Sequence, residues 1–178
     1  VTGYMSSILT LVEIEKEMLS QWCSRIEIAG GLRRKKENPH DIDFVVIPYD
    51  IESKTNILRY IKQSQLDSIR TGDNIVSYKV GNIGIDIYFT NKQSFGAMLL
   101  FLTGSSSYNI GLRKLAQSLG MKLNQYGLFK DGVCIASETE EDIYHALGKE
   151  WKSPELRGLS PAEVKRRYGI SSSIRVLK

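Results

Sequence analysis

The chain has 178 residues, room for one large domain or two small lobes, and its 42% hydrophobic content is enough for a core. The formal charge of +4 is uneven, residues 1–89 balancing to −1 and residues 90–178 to +5, which suits an acidic catalytic half and a basic half that holds a polyanion, ordinary solvated surface being the alternative. Two distant cysteines, Cys23 and Cys134, exclude a disulfide framework, and with no signal peptide or ~18-residue apolar run the expectation is a soluble intracellular protein of cytoplasm, nucleoid or virion that touches no membrane.

In chain order, Ser6 or Ser7 is the expected cap of a helix reaching about Trp22, with Ile8, Leu11, Val12, Met18, Leu19 and Trp22 at helical spacing. Residues 25–29 alternate and read as a strand that ends at a Gly30-Gly31 turn. One helical turn over residues 33–36 follows, stopped before Pro39. Residues 42–47 form a largely apolar strand that opens with Asp41 and Asp43 and ends at Pro48. Alternate strand residues share a face about 6–7 Å apart, so these two carboxylates repel unless a cation sits between them. A hard divalent ion meets that need, and two solvated acids at a strand entry are the alternative.

A helix over residues 54–64 precedes strands at 68–71, 75–80 and 83–89, joined by Gly-containing turns. In the last of these, Ile85, Ile87 and Phe89 share one face and leave Asp86 and Tyr88 on the other. If that strand neighbours the one opening at Asp41, three carboxylates converge. Such a set suits a pair of Mg²⁺ ions, with Mn²⁺ as a substitute. Asp41 and Asp43 would hold both ions, and Asp86 the ion that carries an attacking hydroxyl. Gly30 and Gly31 let backbone N–H groups approach a phosphate, and the planar fork of Arg34 matches phosphate oxygens. A hairpin turn followed by a solvated basic patch is the competing reading, and no GxxxxGK[ST] loop is present.

The second half opens with a helix over residues 94–102, the turn Thr103-Gly104-Ser105-Ser106-Ser107, and a helix to about Leu119 closed by Gly120. Asn109 and Arg113 stand at i and i+4 on one face, available to a base or template strand, while Phe101 is either core or a sugar-stacking group. Residues 122–130 and 133–136 read as a hairpin about Asp131-Gly132. A helix over 138–147 begins at a Thr139-x-x-Asp142 capping box, and one over 161–168 is capped by Ser160 with Pro161 at its first position. The Lys165-Arg166-Arg167 run is either phosphate-binding or a solvated face.

These segments together resemble the X family of DNA polymerases, within the nucleotidyltransferase superfamily. Gly30-Gly31-Leu32-Arg33-Arg34 is similar to the family's Gly-Ser-x-Arg-Arg, and His40-Asp41-Ile42-Asp43 to its Gly-Asp-h-Asp, where h is apolar. Gly84-Ile85-Asp86-Ile87 resembles the segment of the third carboxylate. Phe101-Leu102-Thr103-Gly104-Ser105 resembles its aromatic-aromatic-Thr-Gly-Ser turn, and Leu123-Asn124-Gln125-Tyr126-Gly127-Leu128-Phe129 its Leu-Asn-Glu-Tyr-Gly-Leu-Phe hairpin. Glu140 to Gly148 with Pro154-Glu155-Leu156-Arg157 resembles its final helix and Pro-Glu-Leu-Arg segment.

The resemblance implies an α/β (α+β) fold: a palm with a mixed central sheet over residues 1–92, and a small C-terminal α+β subdomain over 93–178 that closes on the nascent base pair. It implies a monomeric, DNA-directed polymerase that adds dNMP from dNTP to a primer 3′-OH in short gaps by two-metal chemistry. Its setting would be DNA repair, including base excision repair, with gapped or primer–template DNA as partner and a ligase or other repair proteins beside it. On this implication Asp41, Asp43 and Asp86 are catalytic and bind metal; Gly30, Gly31, Arg34, Phe101, Gly104 and Asn109 bind nucleotide; and Arg113, Lys114, Lys122, Gln125 and Tyr126 contact template or other DNA.

Several positions depart from the pattern. Gly31 replaces a serine that would contact triphosphate, Leu102 the second aromatic, Gln125 a glutamate that can pair with the template-sensing arginine, and His40 a glycine. About 24 residues precede the first palm strand, too few for a helical lyase domain and its helix-hairpin-helix neighbour, so the expectation is a minimal viral-type member with no lyase site and a weaker grip on the downstream strand. The alternatives are a nucleotidyltransferase acting without a template, or on RNA or a small molecule, and a non-catalytic basic DNA-binding module.

Overall fold

A computed structural model describes residues 3–64 and 67–169. Its helices are α1 (Gly3–Ser20), α2 (Gly30–Arg33), α3 (Ile51–Gln63), α4 (Phe95–Thr103), α5 (Ser106–Ser118), α6 (Glu140–Ala146) and α7 (Pro161–Tyr168). Its strands are β1 (Cys23–Ala29), β2 (Asp41–Pro48), β3 (Asp67–Thr71), β4 (Ile75–Val80), β5 (Ile83–Phe89), β6 (Met121–Asn124), β7 (Gly127–Lys130) and β8 (Val133–Ala136). Contacts divide the chain into a first unit, Val1–Leu32 with Lys36–Lys92, and a second, Arg33–Lys35 with Gln93–Lys178. The fold is mixed α/β, a central mixed sheet in the first unit and a smaller C-terminal α+β region in the second.

In the first unit the described strands form one sheet in the order β1-β2-β5-β4-β3. The pair β2–β5 is parallel and the remaining neighbours are antiparallel. Period-2 alternation decides the layers. Ile42, Phe44 and Val46 of β2, Ile85 and Ile87 of β5, and Val76 and Tyr78 of β4 are buried. They pack with Ile8, Val12 and Leu19 of α1 and Ile57 and Ile61 of α3. Each fully buried aliphatic side chain contributes about 1.5–3 kcal/mol to that layer. The opposite face carries Asp41, Asp43, Asp86 and Tyr88, none of them fully buried.

Several boundaries differ from the sequence expectations. The α1 helix starts at Gly3, so Ser6 and Ser7 lie inside it; the Ser7 hydroxyl donates back to the Gly3 carbonyl (3.0 Å) instead of capping. The helical turn after β1 begins at Gly30 itself, whose φ of +62° turns the chain out of the strand. The α3 helix starts at Ile51 because the Asp50 carboxylate caps it, accepting from the Ser53 N–H at 2.7 Å. Residues 122–130 hold two strands and not one: Asn124 Oδ1 accepts the N–H groups of Tyr126 (2.8 Å) and Gly127 (3.2 Å) and makes the turn between β6 and β7.

The second unit packs α4, α5 and α6 against the sheet β6-β7-β8 around Leu100, Leu112, Ala116, Leu128, Ile143 and Tyr144. The first-turn N–H groups of α4 at Gly96 and Ala97 donate to the carbonyls of Glu138 and Ser137, each at 3.0 Å. That approach brings Gly96 against the Thr139 backbone, where any Cβ would clash. Thr139 caps α6 by accepting the Asp142 N–H at 3.0 Å, and Ser160 and Glu163 form a full capping box on α7. Among the described residues no helix is long and apolar enough to cross a membrane.

Candidate active site

Parallel pairing of β2 with β5 places Asp43 opposite Asp86 and Asp41 opposite Gly84. Register partners and alternate residues share a face, so the three carboxylates stand together on the side of the sheet away from α1 and α3. The glycines beside them make room. A Cβ at Gly84 would lie 2.5 Å from Asp41 Oδ1, and one at Gly30 would run into Asp43 Oδ2. Tyr88, two residues past Asp86 on the same face, reports the field they create. Burial first, then the negative charges of Asp86, Asp43 and Asp41, push its hydroxyl up to about 12.

Three hard oxygen donors on one face, with glycine cradles beside two of them, fit a divalent cation. Among the described residues, however, no three Asp, Glu, His or Cys side chains converge into a metal-holding group. The Asp41 and Asp43 carboxylates lie where a Cβ at Gly84 or Gly30 would stand, and with Asp86 they form an acidic face on the two neighbouring strands. Gly31, also in the first unit, is half-buried against the Lys36 side chain.

The second unit gathers another set. Phe101, Asn109 and Arg113 line one small pocket with Leu100, Leu123 and Asn124. Asn109 Nδ2 donates to the Phe101 carbonyl at 2.7 Å, while its Oδ1 is buried with no partner among the described residues. Arg34 Nη1 donates to the Thr103 carbonyl at 2.5 Å, and Gly104 (φ +67°) lets the chain pass beside that guanidinium. Gln125 and Tyr126 occupy the β6–β7 turn, and Lys114 and Lys122 are exposed on α5 and β6, all four outside the pocket.

The model of the DNA polymerase beta thumb matches residues 98–158. The chain is 29% identical over 165 residues to the DNA polymerase/3'-5' exonuclease PolX of Bacillus subtilis, covering 87% of this chain and 28% of that protein. It is 25% identical over 153 residues to Repair DNA polymerase X of African swine fever virus, covering 82% of this chain and 88% of that protein. It is also 25% identical over 162 residues to DNA polymerase lambda of Rattus norvegicus, covering 72% of this chain and 28% of that protein. Over most of its length the chain is thus similar to DNA polymerases of the X type.

The second unit also holds a buried charge network that no local sequence pattern announces. Glu140 and Arg157 are 3% and 2% exposed. The Glu140 carboxylate accepts both guanidinium arms of Arg33 at 2.8 Å, those of Arg157 at 2.8 and 3.2 Å, and the Trp151 indole N–H at 3.1 Å. Burial alone would raise the Glu140 pKa; the hydrogen bonds and charges of the two arginines reverse that and hold it at about 2. Arg157 also donates to the Lys152 carbonyl (2.9 Å) and lies over the Tyr144 and Trp151 rings at 5.6 Å. In sequence Glu140 looks like any acid in a first helical turn, and only its place in the family-like final segment marked it out.

Proposed function

We propose that this chain is an X-family, template-directed, gap-filling repair DNA polymerase that transfers dNMP from dNTP to a primer 3′-OH. The observation that carries this reading is the acidic face formed by Asp41, Asp43 and Asp86 across the parallel pair β2–β5. A module that only bound DNA phosphates would gain nothing from three gathered acids. Asp41, Asp43 and Asp86 would hold two Mg²⁺ ions, which on binding lower the pKa of an attacking hydroxyl and neutralise charge on the triphosphate.

The protein's own groups supply binding and orientation. Backbone N–H groups at Gly30 and Gly31, and the Arg34 guanidinium, hold the triphosphate, with Gly104 giving Arg34 room. Phe101 packs on the sugar, Asn109 offers its amide to the base edge, and Arg113 on the same pocket reads the template. Gln125 and Tyr126 support that arginine, and Lys114 and Lys122 take DNA phosphates.

Extension of a primer across a one-nucleotide gap, with each dNTP and rNTP offered separately and Mg²⁺ present, tests the reading. Incorporation of the complementary dNTP alone is expected. Equal use of all four dNTPs opposite one template base would replace it with an undirected nucleotidyltransferase. Gapped-duplex binding without divalent-dependent extension would replace it with a binding module.

A further inference from the structure

Two consecutive arginines grip opposite ends of one residue in the second unit. Arg33 Nη1 donates to the Thr103 hydroxyl at 2.8 Å, and Arg34 Nη1 donates to the Thr103 carbonyl at 2.5 Å. The same hydroxyl donates to the Leu99 carbonyl at 2.6 Å, so Thr103 is anchored to the last turn of α4 while it holds both arginines. Behind Arg33 stands Glu140, which takes five hydrogen bonds from Arg33, Arg157 and Trp151. A carboxylate has about four lone-pair sites, so Glu140 is saturated and has no capacity left for a substrate.

We propose that Glu140 is a positioning residue. It clamps the Arg33 fork against Thr103 and so aims the neighbouring Arg34 guanidinium at the triphosphate of the incoming nucleotide. This rests on the triphosphate reading of Arg34 given above. The chemistry of the clamp is specific to arginine, because a bidentate fork that also reaches a hydroxyl cannot be reproduced by the single ammonium of lysine. The two arginines on Glu140 differ in reach. Arg33 touches the Thr103 turn, whereas Arg157 touches the Lys152 carbonyl and two aromatic rings. A variant on the Arg33 side should therefore disturb nucleotide binding, and one on the Trp151 side should disturb stability alone.

The experiment compares Arg33→Lys, Thr103→Val, Glu140→Gln and Trp151→Phe by thermal midpoint, gapped-DNA affinity, and KM and kcat for the complementary dNTP. Arg33→Lys and Glu140→Gln should raise the dNTP KM about tenfold, with gapped-DNA affinity within about twofold of the parent. Thr103→Val, which keeps the volume and removes the hydroxyl, should raise KM in the same direction. Trp151→Phe takes one donor from the same carboxylate without touching Arg33 and should lower the midpoint while KM stays put. Should Glu140→Gln fail to fold, the milder Arg33→Lys and Thr103→Val carry the test. An unmoved KM in Arg33→Lys, or a KM that follows the midpoint through all four variants, overturns the positioning role. Arg34→Ala separates the two failures. An unchanged KM there overturns the triphosphate reading on which the proposal stands, whereas a raised KM there with none in Arg33→Lys overturns the positioning role alone.

Discussion

Asp43 and Asp86 are register partners across the parallel strands β2 and β5, with Asp41 two residues earlier on the same face. Like charges held this way repel in the absence of a cation, so the face is bought with stability. Asp86→Asn should relieve that repulsion. Its thermal midpoint in chelator is expected at or slightly above the parent's, while gap-filling turnover falls by about a thousandfold or more. Mg²⁺ should raise the parent's midpoint by mass action and leave that of Asp86→Asn nearly unmoved. Comparable incorporation by the variant would remove Asp86 from the chemistry.

Gly84 offers a gentler perturbation of the same face. A Cβ there lies 2.5 Å from Asp41 Oδ1, and the backbone at Gly84 has no positive φ to forbid alanine. Gly84→Ala should therefore fold with a near-parental midpoint but swing the Asp41 carboxylate out of place. Displacements of about 1 Å at reacting groups cost up to a hundredfold, so a tenfold to hundredfold loss of turnover is expected, with a higher Mg²⁺ requirement. A Mg²⁺ titration of primer extension reads both, and a parental titration curve would show that the Asp41 position is unimportant.

What could be read from residues alone was whatever has a short period or a local turn. The alternation Ile83-Gly84-Ile85-Asp86-Ile87-Tyr88-Phe89 gives away a strand with one apolar face, and Asp86 falls on the other. The pairing that brings Asp86 beside Asp43 spans the whole of α3, β3 and β4, and no local pattern encodes it. Gly30 and Gly31 were legible as a site of unusual backbone. That Gly30 itself starts the helical turn, at a φ of +62° and with the Asp43 side chain where a Cβ would stand, was not legible, because Asp43 comes from the neighbouring strand. Glu140 was the least legible residue, because Arg33 lies 107 positions away and an acid at a helix start needs no partner.

The buried Glu140 carboxylate also makes a pH prediction. Its folded pKa, about 2, lies below the ordinary 4.5 because Arg33 and Arg157 outweigh the cost of burial. A depressed carboxylate stabilises the fold above its unfolded value and loses that contribution as pH falls through its folded value. Stability from this group should thus be intact above pH ~4.5–5 and drain away toward pH ~2, a change on the order of 3 kcal/mol. Denaturant melts of the parent and Glu140→Gln across that range should converge as pH falls, the variant starting lower and sloping less. Parallel slopes would show that the carboxylate does not carry its charge in the folded network.

Asn109 links the pocket to its cost. Its Nδ2 donates to the Phe101 carbonyl at 2.7 Å, yet its Oδ1 is buried without a partner among the described residues, in the pocket that Arg113 and Asn124 also line. A made hydrogen bond contributes about 1 kcal/mol and an unmet buried acceptor costs about 1–3 kcal/mol, so the amide is close to neutral for stability. Asn109→Leu, of similar volume, should therefore leave the midpoint within a few degrees of the parent or raise it. If the amide serves the base edge of the incoming nucleotide, the same variant should raise the dNTP KM about tenfold and narrow the preference for the complementary base. Single-turnover gap filling with each dNTP measures both quantities. A large fall in midpoint with unchanged base preference would make Asn109 a brace for the α4–α5 turn and leave base reading to another residue.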